Sequence, residues 1–160
     1  MPKFLISETI HTYPVKTVRG GTTSAKHGYT ENGKAVKLAG LDNYVLCAAG
    51  DAIEAVQVTS NFETQGTVDG YAIVGVSDKG YKAVTFDGLQ ATPGTGVVAA
   101  GDYVVTGTVV AAGTALTGSL KVTKATDQAA AKGAPYKARV VSLGVAGTGA
   151  VGTTGIVELF

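Results

Sequence analysis

The sequence predicts an all-β protein: a small barrel or sandwich of about eight to ten short strands, with one short helix and an extended N-terminal arm. Short runs of β-branched and apolar residues alternate with Gly, Asp, Asn and Pro turns at intervals of about 8–12 residues. No strand–helix–strand rhythm is present, which argues against a parallel α/β sheet. The tetrapeptide Ala-Ala-Gly-Asp occurs at 48–51 and again at 99–102, each time between apolar runs, so Gly-Asp corners recur along the chain.

The elements follow from the same alternation of strand-forming runs and turn residues. The stretch 97–110 holds two apolar runs around one Gly-Asp corner. Further strands are predicted at 26–31, 34–38, 44–48, 53–58, 71–76, 81–86, 120–123, 136–143 and 156–160. Thr126 or Asp127 can cap a helix of a turn or two over 128–132 that ends at Gly133. The Gly-rich stretch 144–155 is expected to be a flexible connector before the last strand.

The first twenty residues are predicted to form an arm, at 1–20, on a single β domain at 21–160. Phe4, Leu5 and Ile6 make a short β-capable run, while Gly20 and Gly21 separate the segment from the rest of the chain. One interpretation makes this segment an edge strand of the domain. The other makes it an extended arm that pairs with a neighbouring molecule. The side chains that would bind a partner in that case are Phe4, Leu5, Ile6, Ile10 and Tyr13.

Composition favours a protein that assembles. Of the 160 residues, 45% are apolar but only 7% are aromatic and 16% charged, against a usual charged fraction of about 25%. Val and Ala therefore supply the core. The 23 glycines raise the conformational entropy lost on folding, and burial between subunits would help to offset that loss.

Charge and cysteine content exclude several classes of function. The net charge is +1 and the lysines are scattered, which argues against a nucleic-acid or anionic-membrane surface. No apolar run approaches the roughly 20 residues of a membrane span. The single cysteine, Cys47, excludes an internal disulfide and is expected to be a small core residue.

Two stretches match the residue patterns of phosphate-binding motifs, but the sequence around them does not predict the structure that such motifs need. Residues 147–152 match GxGxxG, but the eight residues that follow predict a strand instead of the helix that a dinucleotide needs. Residues 28–34 have P-loop spacing, but Ala35 stands where a Ser or Thr should hold magnesium. Asn32 and Gly33 are better explained as a hairpin turn.

No catalytic, cofactor-binding or metal-binding residue is predicted. His11 and His27 are the whole histidine content; His11 lies in the predicted arm and His27 beside a glycine-rich loop, so both are expected to be solvent-exposed and without a rigid support. The aspartates beside glycines are expected to bond nearby backbone N–H groups in turns. The tyrosines recur at the starts of strands, as expected for packing at a barrel rim or between subunits; they are Tyr44, Tyr71, Tyr81, Tyr103 and Tyr136.

Three series of residues resemble the head decoration, or capsid cement, proteins of tailed bacteriophages. The first runs over 49–56 and continues at 71–76, the second is 100–105, and the third is the ending at 140–144 and 155–160. The resemblance implies a β-rich structural protein without enzymatic activity or cofactor. It implies a homotrimer that binds the major capsid protein on the outer surface of the virion, after synthesis in the host cytoplasm. Residues 1–20 would suit the terminal arm of such a protein.

Two other interpretations remain open. One is a different virion component, such as a tail or head fibre, although the sequence shows neither an internal repeat nor a coiled-coil segment. The other is a small carbohydrate- or ligand-binding β module, although no Trp is present to form a sugar platform.

Overall fold

Strands make up the regular structure throughout the part of the chain that the computed structural model describes, residues 11–18, 32–38, 43–58, 71–112, 114–128 and 136–160. The predicted all-β class is confirmed. There are ten strands in these ranges besides the two-residue β7. Their bounds are β1 His11–Val18, β2 Ala35–Leu38, β3 Asn43–Leu46, β4 Ala55–Val58, β5 Tyr71–Ser77, β6 Gly80–Leu89, β7 Thr92–Pro93, β8 Val104–Thr106, β9 Leu120–Lys124, β10 Ala138–Ser142 and β11 Thr154–Leu159.

The first five strands close into a barrel, called the first ring below. Their order is β1-β3-β2-β4-β5, and β5 returns to β1. The β1/β3 pair is parallel, and the other neighbours are antiparallel. Closing the sheet pairs its edges, which removes sites for uncontrolled strand addition.

The later strands form a second sheet that curls until its outer strands meet, called the second ring below. The order is β10-β11-β6-β9-β8, and β7 forms a hairpin with β6. Tyr103, just before β8, forms an antiparallel bridge with Arg139 of β10. Gly101 N donates to Val140 O at 2.8 Å, and Val140 N donates to Asp102 O at 2.9 Å. These contacts join the two outer strands.

The core is built mainly from small side chains, as the composition predicted. One hydrophobic cluster spans both rings, with Ile53 and Val56 from the first and Phe86, Val122 and Leu159 from the second. Phe86 is the largest of the fully buried side chains. The rings therefore pack over a common interior.

The two rings have the same topology. Taking β1 as the counterpart of β6, β2 of β8, β3 of β9, β4 of β10 and β5 of β11, every neighbour relation of the first ring recurs in the second. The direction is also kept, because the parallel pair β1/β3 corresponds to the parallel pair β6/β9. The chain order of the counterparts is the same as well.

Over part of each strand pair, the register is the same in the two rings. The equivalent pairs, first ring then second, are Lys16–Ile73 and Thr85–Thr154, Lys16–Asn43 and Thr85–Lys121, Val36–Leu46 and Val104–Lys124, Ala35–Val56 and Tyr103–Arg139, and Gln57–Val76 and Val140–Val157. Across all these pairs, the difference in residue number between a strand and its counterpart stays constant. Outside these pairs the register differs, since bulges interrupt β1/β5 between His11 and Val15 and β10/β11 between Val140 and Ser142.

Three inward positions carry the same residue type in both rings. The first ring has a cluster of three buried side chains, each at most 1% exposed, and their counterparts are equally buried. The pairs are Val36 with Val104, Ala55 with Ala138, and Val76 with Val157. The sequence shows no internal repeat, but the second sheet repeats the strand order of the first and these three buried residue types.

The structure places part of the predicted arm inside the first ring. His11–Val18 is β1, which pairs with β3 and β5 of the same chain. For these eight residues the strand interpretation applies. Residues 1–10 lie outside the described part of the chain, as does the predicted helix apart from Gln128.

The Gly-rich stretch between β10 and β11 is a packed loop, which corrects the expectation of a flexible connector. Val98 N donates to Gly149 O at 2.9 Å, and Val97 bridges Ala150. A Cβ atom on Gly149 would lie 1.7 Å from the carbonyl oxygen of Val98. Glycine is required here because two backbones touch, so its role is close approach.

We expect Val104→Asp to unfold the protein, since the change puts an unpaired carboxylate at a fully buried position of β8. The loss is a large part of a typical stability of about 5–15 kcal/mol. Urea unfolding followed by circular dichroism measures it. Val151→Asp, at a position 40% exposed, is the matched control and should stay folded. Equal stability of the two variants would show that β8 is placed wrongly.

Candidate interaction surface

Neither phosphate-binding motif has the setting that its chemistry needs. The GxGxxG stretch at 147–152 is followed by β11 and packs against Val98. Lys34, the lysine of the P-loop spacing, is buried, and its Nζ donates to the carbonyl oxygen of Ala111 at 3.0 Å. Gly149 of the first motif and Lys34 of the second therefore take part in packing between segments.

Within the described ranges, no group of three His, Cys, Asp or Glu side chains lies close enough to hold a metal ion. A cavity of about 20 Å³ between the rings is lined by Cys47, Thr106 and Leu116 among others. That volume suits one water molecule and is far below the roughly 300 Å³ at which pockets for organic ligands begin. This cavity is therefore no ligand pocket.

The two Ala-Ala-Gly-Asp tetrapeptides fold into the same corner. Asp51 Oδ2 accepts a hydrogen bond from Ala48 N at 2.7 Å, and Asp102 Oδ2 accepts one from Ala99 N at 2.8 Å. The glycine before each aspartate has a φ near +90°, which an L side chain rarely adopts. The predicted turn role of these two aspartates is confirmed.

A lysine from a neighbouring strand pairs with each corner carboxylate. Lys37 Nζ lies 2.6 Å from Asp51 Oδ2, and Lys124 Nζ lies 2.8 Å from Asp102 Oδ2. The hydrogen bond with Asp51 raises the pKa of Lys37. Each carboxylate thus accepts a hydrogen bond within its own turn and forms an ion pair with a lysine of a neighbouring strand.

Each corner docks by its backbone on one residue of another strand. Gly50 N donates to Thr106 O at 2.8 Å, while Thr106 N donates to Asp51 O at 2.9 Å. Gly101 and Asp102 make the same two bonds with Val140, at the same two distances. The corner at 48–51 therefore joins the first ring to β8, and the corner at 99–102 closes the second ring on β10.

The Cys47 thiol lies at the contact between the rings. It is 6% exposed, and its Sγ is 3.5 Å from the carbonyl oxygen of Ala52. Burial raises its pKa to about 11. The thiol is therefore protonated and unreactive near neutral pH, in agreement with the predicted core position.

Most of the large exposed apolar side chains among the described residues belong to the second ring and its loops. Five of them are called the valine surface below: Val97, Val141, Val145, Val151 and Ile156. They come from β10, β11, the loop between these strands and the segment that bridges that loop. Their exposed fractions run from 38% for Val141 to 108% for Val145.

No charged residue belongs to the segments that carry the valine surface. Residues 91–101 and 140–157 contain no Asp, Glu, Lys or Arg. The bridge between Val97 and Ala150 brings the two segments together. Exposed apolar side chains grouped on segments without charged residues are typical of a protein-binding site.

A second exposed cluster lies at the C-terminus. The ring of Phe160 packs edge-on against Tyr103, with 6.2 Å between centroids, and Arg139 lies over it at 5.7 Å. Arg139 also pairs with Glu158 at 3.0 Å. Tyr81, opposite Glu158 on β6, is 56% exposed. Unlike the valine surface, this cluster carries charges that are already paired.

The predicted partner-binding residues fall almost entirely outside the described ranges. Phe4, Leu5, Ile6 and Ile10 are among those residues, and Tyr13 belongs to β1, without a described side chain. The valine surface was missed by the sequence analysis. The one signal for it was the uncharged run at 140–157, which had been explained by flexibility.

Comparison with protein-family models, with curated proteins and with solved structures finds no match to this chain. A search of the described ranges for a helix both long and apolar enough to cross a membrane found none.

We expect Asp102→Ala to destabilise the protein by about 1–3 kcal/mol, because it removes the acceptor for Ala99 N and the partner of Lys124 at the corner that closes the second ring. Urea unfolding measures the effect. Asp102→Asn keeps an acceptor oxygen without the charge and should cost less. Equal losses for the two variants would show that the hydrogen bond to Ala99 contributes nothing.

Folding stability should fall as the pH rises from about 8.5, the ordinary pKa of a thiol, to about 11, the pKa of Cys47 in the fold. In this window the unfolded chain loses the thiol proton while the folded chain keeps it, so the unfolded state is favoured. Urea unfolding at several pH values tests this. Cys47→Ala should show a shallower decline, and identical slopes would contradict the assignment.

Proposed function

We propose that this chain is a structural virion protein of a tailed bacteriophage, which binds the outer surface of the capsid as a homotrimer and cements neighbouring major capsid subunits. The observation that carries the proposal is the valine surface, a group of exposed apolar side chains on segments of the second ring that contain no charged residue. The resemblance to capsid cement proteins points to the same role. A role without enzymatic activity suits the corners, where Asp51 and Asp102 serve the fold.

Two features of the fold suit a cement protein: its strand edges are mostly paired, and its thiol is buried. The first ring is a closed barrel and a bridge joins the outer strands of the second, so both offer few unpaired edges to other proteins. The Cys47 thiol is buried and so does not cross-link. Several weak apolar contacts on one trimer add up to tight binding on a repeating shell.

Purified chain should co-sediment with capsids that have been stripped of their accessory proteins, taken from the phage that encodes it. We expect Val97→Asp or Val145→Asp to weaken binding at least tenfold, because a carboxylate would have to be desolvated at an apolar contact. Val109→Asp is the matched control, since Val109 is 44% exposed but lies outside the valine surface. Equal binding by all three variants would remove the valine surface from the proposal.

Gold-labelled antibodies against the chain separate the proposed role from the alternatives. Labels over the whole head of purified virions support cementing. Labels confined to the tail or to a fibre would identify a different virion component. Virions without any label would overturn the proposal as a whole.

The predicted arm is tested by removing residues 1–10, which leaves β1 intact. The shortened chain should keep its circular dichroism spectrum but bind stripped capsids more weakly, because it lacks Phe4, Leu5, Ile6 and Ile10. Tyr13, the remaining predicted contact, stays in place. Unchanged capsid occupancy would show that these residues are not the contact.

A further inference from the structure

A row of aromatic and charged residues, called the aromatic row below, crosses the outer face of the second ring. Tyr103 lies opposite Arg139 of β10, and Arg139 lies opposite Glu158 of β11. Glu158 in turn lies opposite Tyr81 of β6. Residues directly opposite each other in antiparallel strands place their side chains on the same face of a sheet. This face is the outer one, because Ala138, next to Arg139 in β10, is fully buried.

The aromatic row is long and open enough to receive a chain-like ligand. Its members lie on neighbouring backbone segments about 4.8 Å apart, so the row spans about 14 Å. At one end, Tyr81 is 56% exposed. At the other end, Phe160 packs edge-on against Tyr103 with 6.2 Å between centroids and is 51% exposed. Exposed aromatic rings thus stand on both sides of an ion pair.

The ion pair in the middle of the row is held in place by its neighbours. Arg139 Nη2 donates to Glu158 Oε2 at 3.0 Å, and the guanidinium lies 5.7 Å from the centre of the Phe160 ring. Phe160 is fixed in turn, because its N donates to Lys137 O at 3.2 Å. The bond to Glu158 uses one of the five N–H donors of an arginine and one oxygen of a carboxylate. Donors and an acceptor therefore remain side by side for a ligand.

This combination of groups fits a sugar chain. A pyranose ring has an apolar face of C–H groups, which packs on an aromatic ring, and a rim of hydroxyl groups, which donate and accept hydrogen bonds. Tyr81 and Phe160 offer aromatic surfaces, so the absence of Trp does not exclude such a site. Arg139 and Glu158 offer a donor and an acceptor to neighbouring hydroxyl groups.

The charges of the row favour a neutral ligand. Arg139 and Glu158 neutralise each other, and an anionic ligand laid along the row would meet the Glu158 carboxylate. Lys137 is exposed beside Phe160, outside the row. A protein partner would have to cover the ion pair, and the cores of protein interfaces are depleted of charged residues. A ligand rich in hydroxyl groups instead keeps the pair hydrogen-bonded.

We propose that the aromatic row binds a neutral oligosaccharide. One sugar ring packs on Tyr81 and another on Phe160, while hydroxyl groups between them bond to Arg139 and Glu158. On the outside of a virion, such a site would hold the particle to a cell coated with polysaccharide. The sugar site itself goes beyond the proposed function and does not depend on it.

A glycan array that carries neutral and acidic oligosaccharides, probed with the fluorescently labelled full chain, tests the proposal. The wild-type protein should bind neutral glycans in preference to acidic ones. Tyr81→Ala should weaken binding at least about tenfold, because it removes one aromatic surface. Tyr81→Phe keeps the ring and should bind within about threefold of wild type. Lys137→Ala and Val145→Asp, both outside the row, are the matched controls and should bind like wild type.

NMR titration provides a second readout that needs no variant. Titrating the wild-type protein with the neutral glycan that binds best on the array should shift the amide signals of Tyr81, Arg139 and Glu158. The amide signal of Val145 should stay in place.

Wild-type protein that binds no glycan on the array would overturn the proposal. So would full binding by folded Tyr81→Ala, or a preference for acidic glycans that Lys137→Ala abolishes. If Tyr81→Ala lowers capsid binding and leaves glycan binding unchanged, the row contacts a protein and the proposal is wrong. Val145→Asp separates the two roles, because it should weaken binding to capsids alone.

A chain that cements capsids without binding glycans would reject the sugar site and leave the cementing role intact. A chain that binds glycans but not capsids would do the reverse.

Discussion

The pair of backbone hydrogen bonds that a Gly-Asp corner makes with one strand residue holds the structure together at two places. The bonds from 99–102 to Val140 close the second ring, and those from 48–51 to Thr106 join the rings. Both depend on a glycine at positive φ, which turns its N–H outward beside the aspartate carbonyl. Because the aspartate side chain fixes the turn from within, each corner presents these two groups without help from its docking partner.

The interiors of the two rings are filled mainly by small side chains. The rings close around interiors that Val and Ala can fill, with Phe86 as the largest fully buried group. Backbones touch directly where Gly149 lies against Val98, a contact that no other residue allows. The second ring also has valines on its outside. They are exposed in the stretch 140–157, which contains no charged residue.

The repeated strand order is compatible with the proposed role in a capsid. A repeating shell offers the same site many times, and exposed apolar side chains on segments without charged residues suit a protein that binds to such a surface. The cavity beside Cys47, among the described residues, is about the size of one water molecule.

The sequence by itself determined the all-β class, the turn role of Asp51 and Asp102, and the burial of Cys47, because local turn chemistry and hydrophobic pattern specify these. It did not reveal the repeat. Val36 and Val104 are 68 positions apart while Ala55 and Ala138 are 83 apart, so loops of unequal length erase any constant period. Only the tertiary structure decided that β1 belongs to a closed ring, that Gly149 packs on Val98, and that the uncharged segments 91–101 and 140–157 meet. Each of these depends on pairing between segments far apart in the chain, which no local window contains.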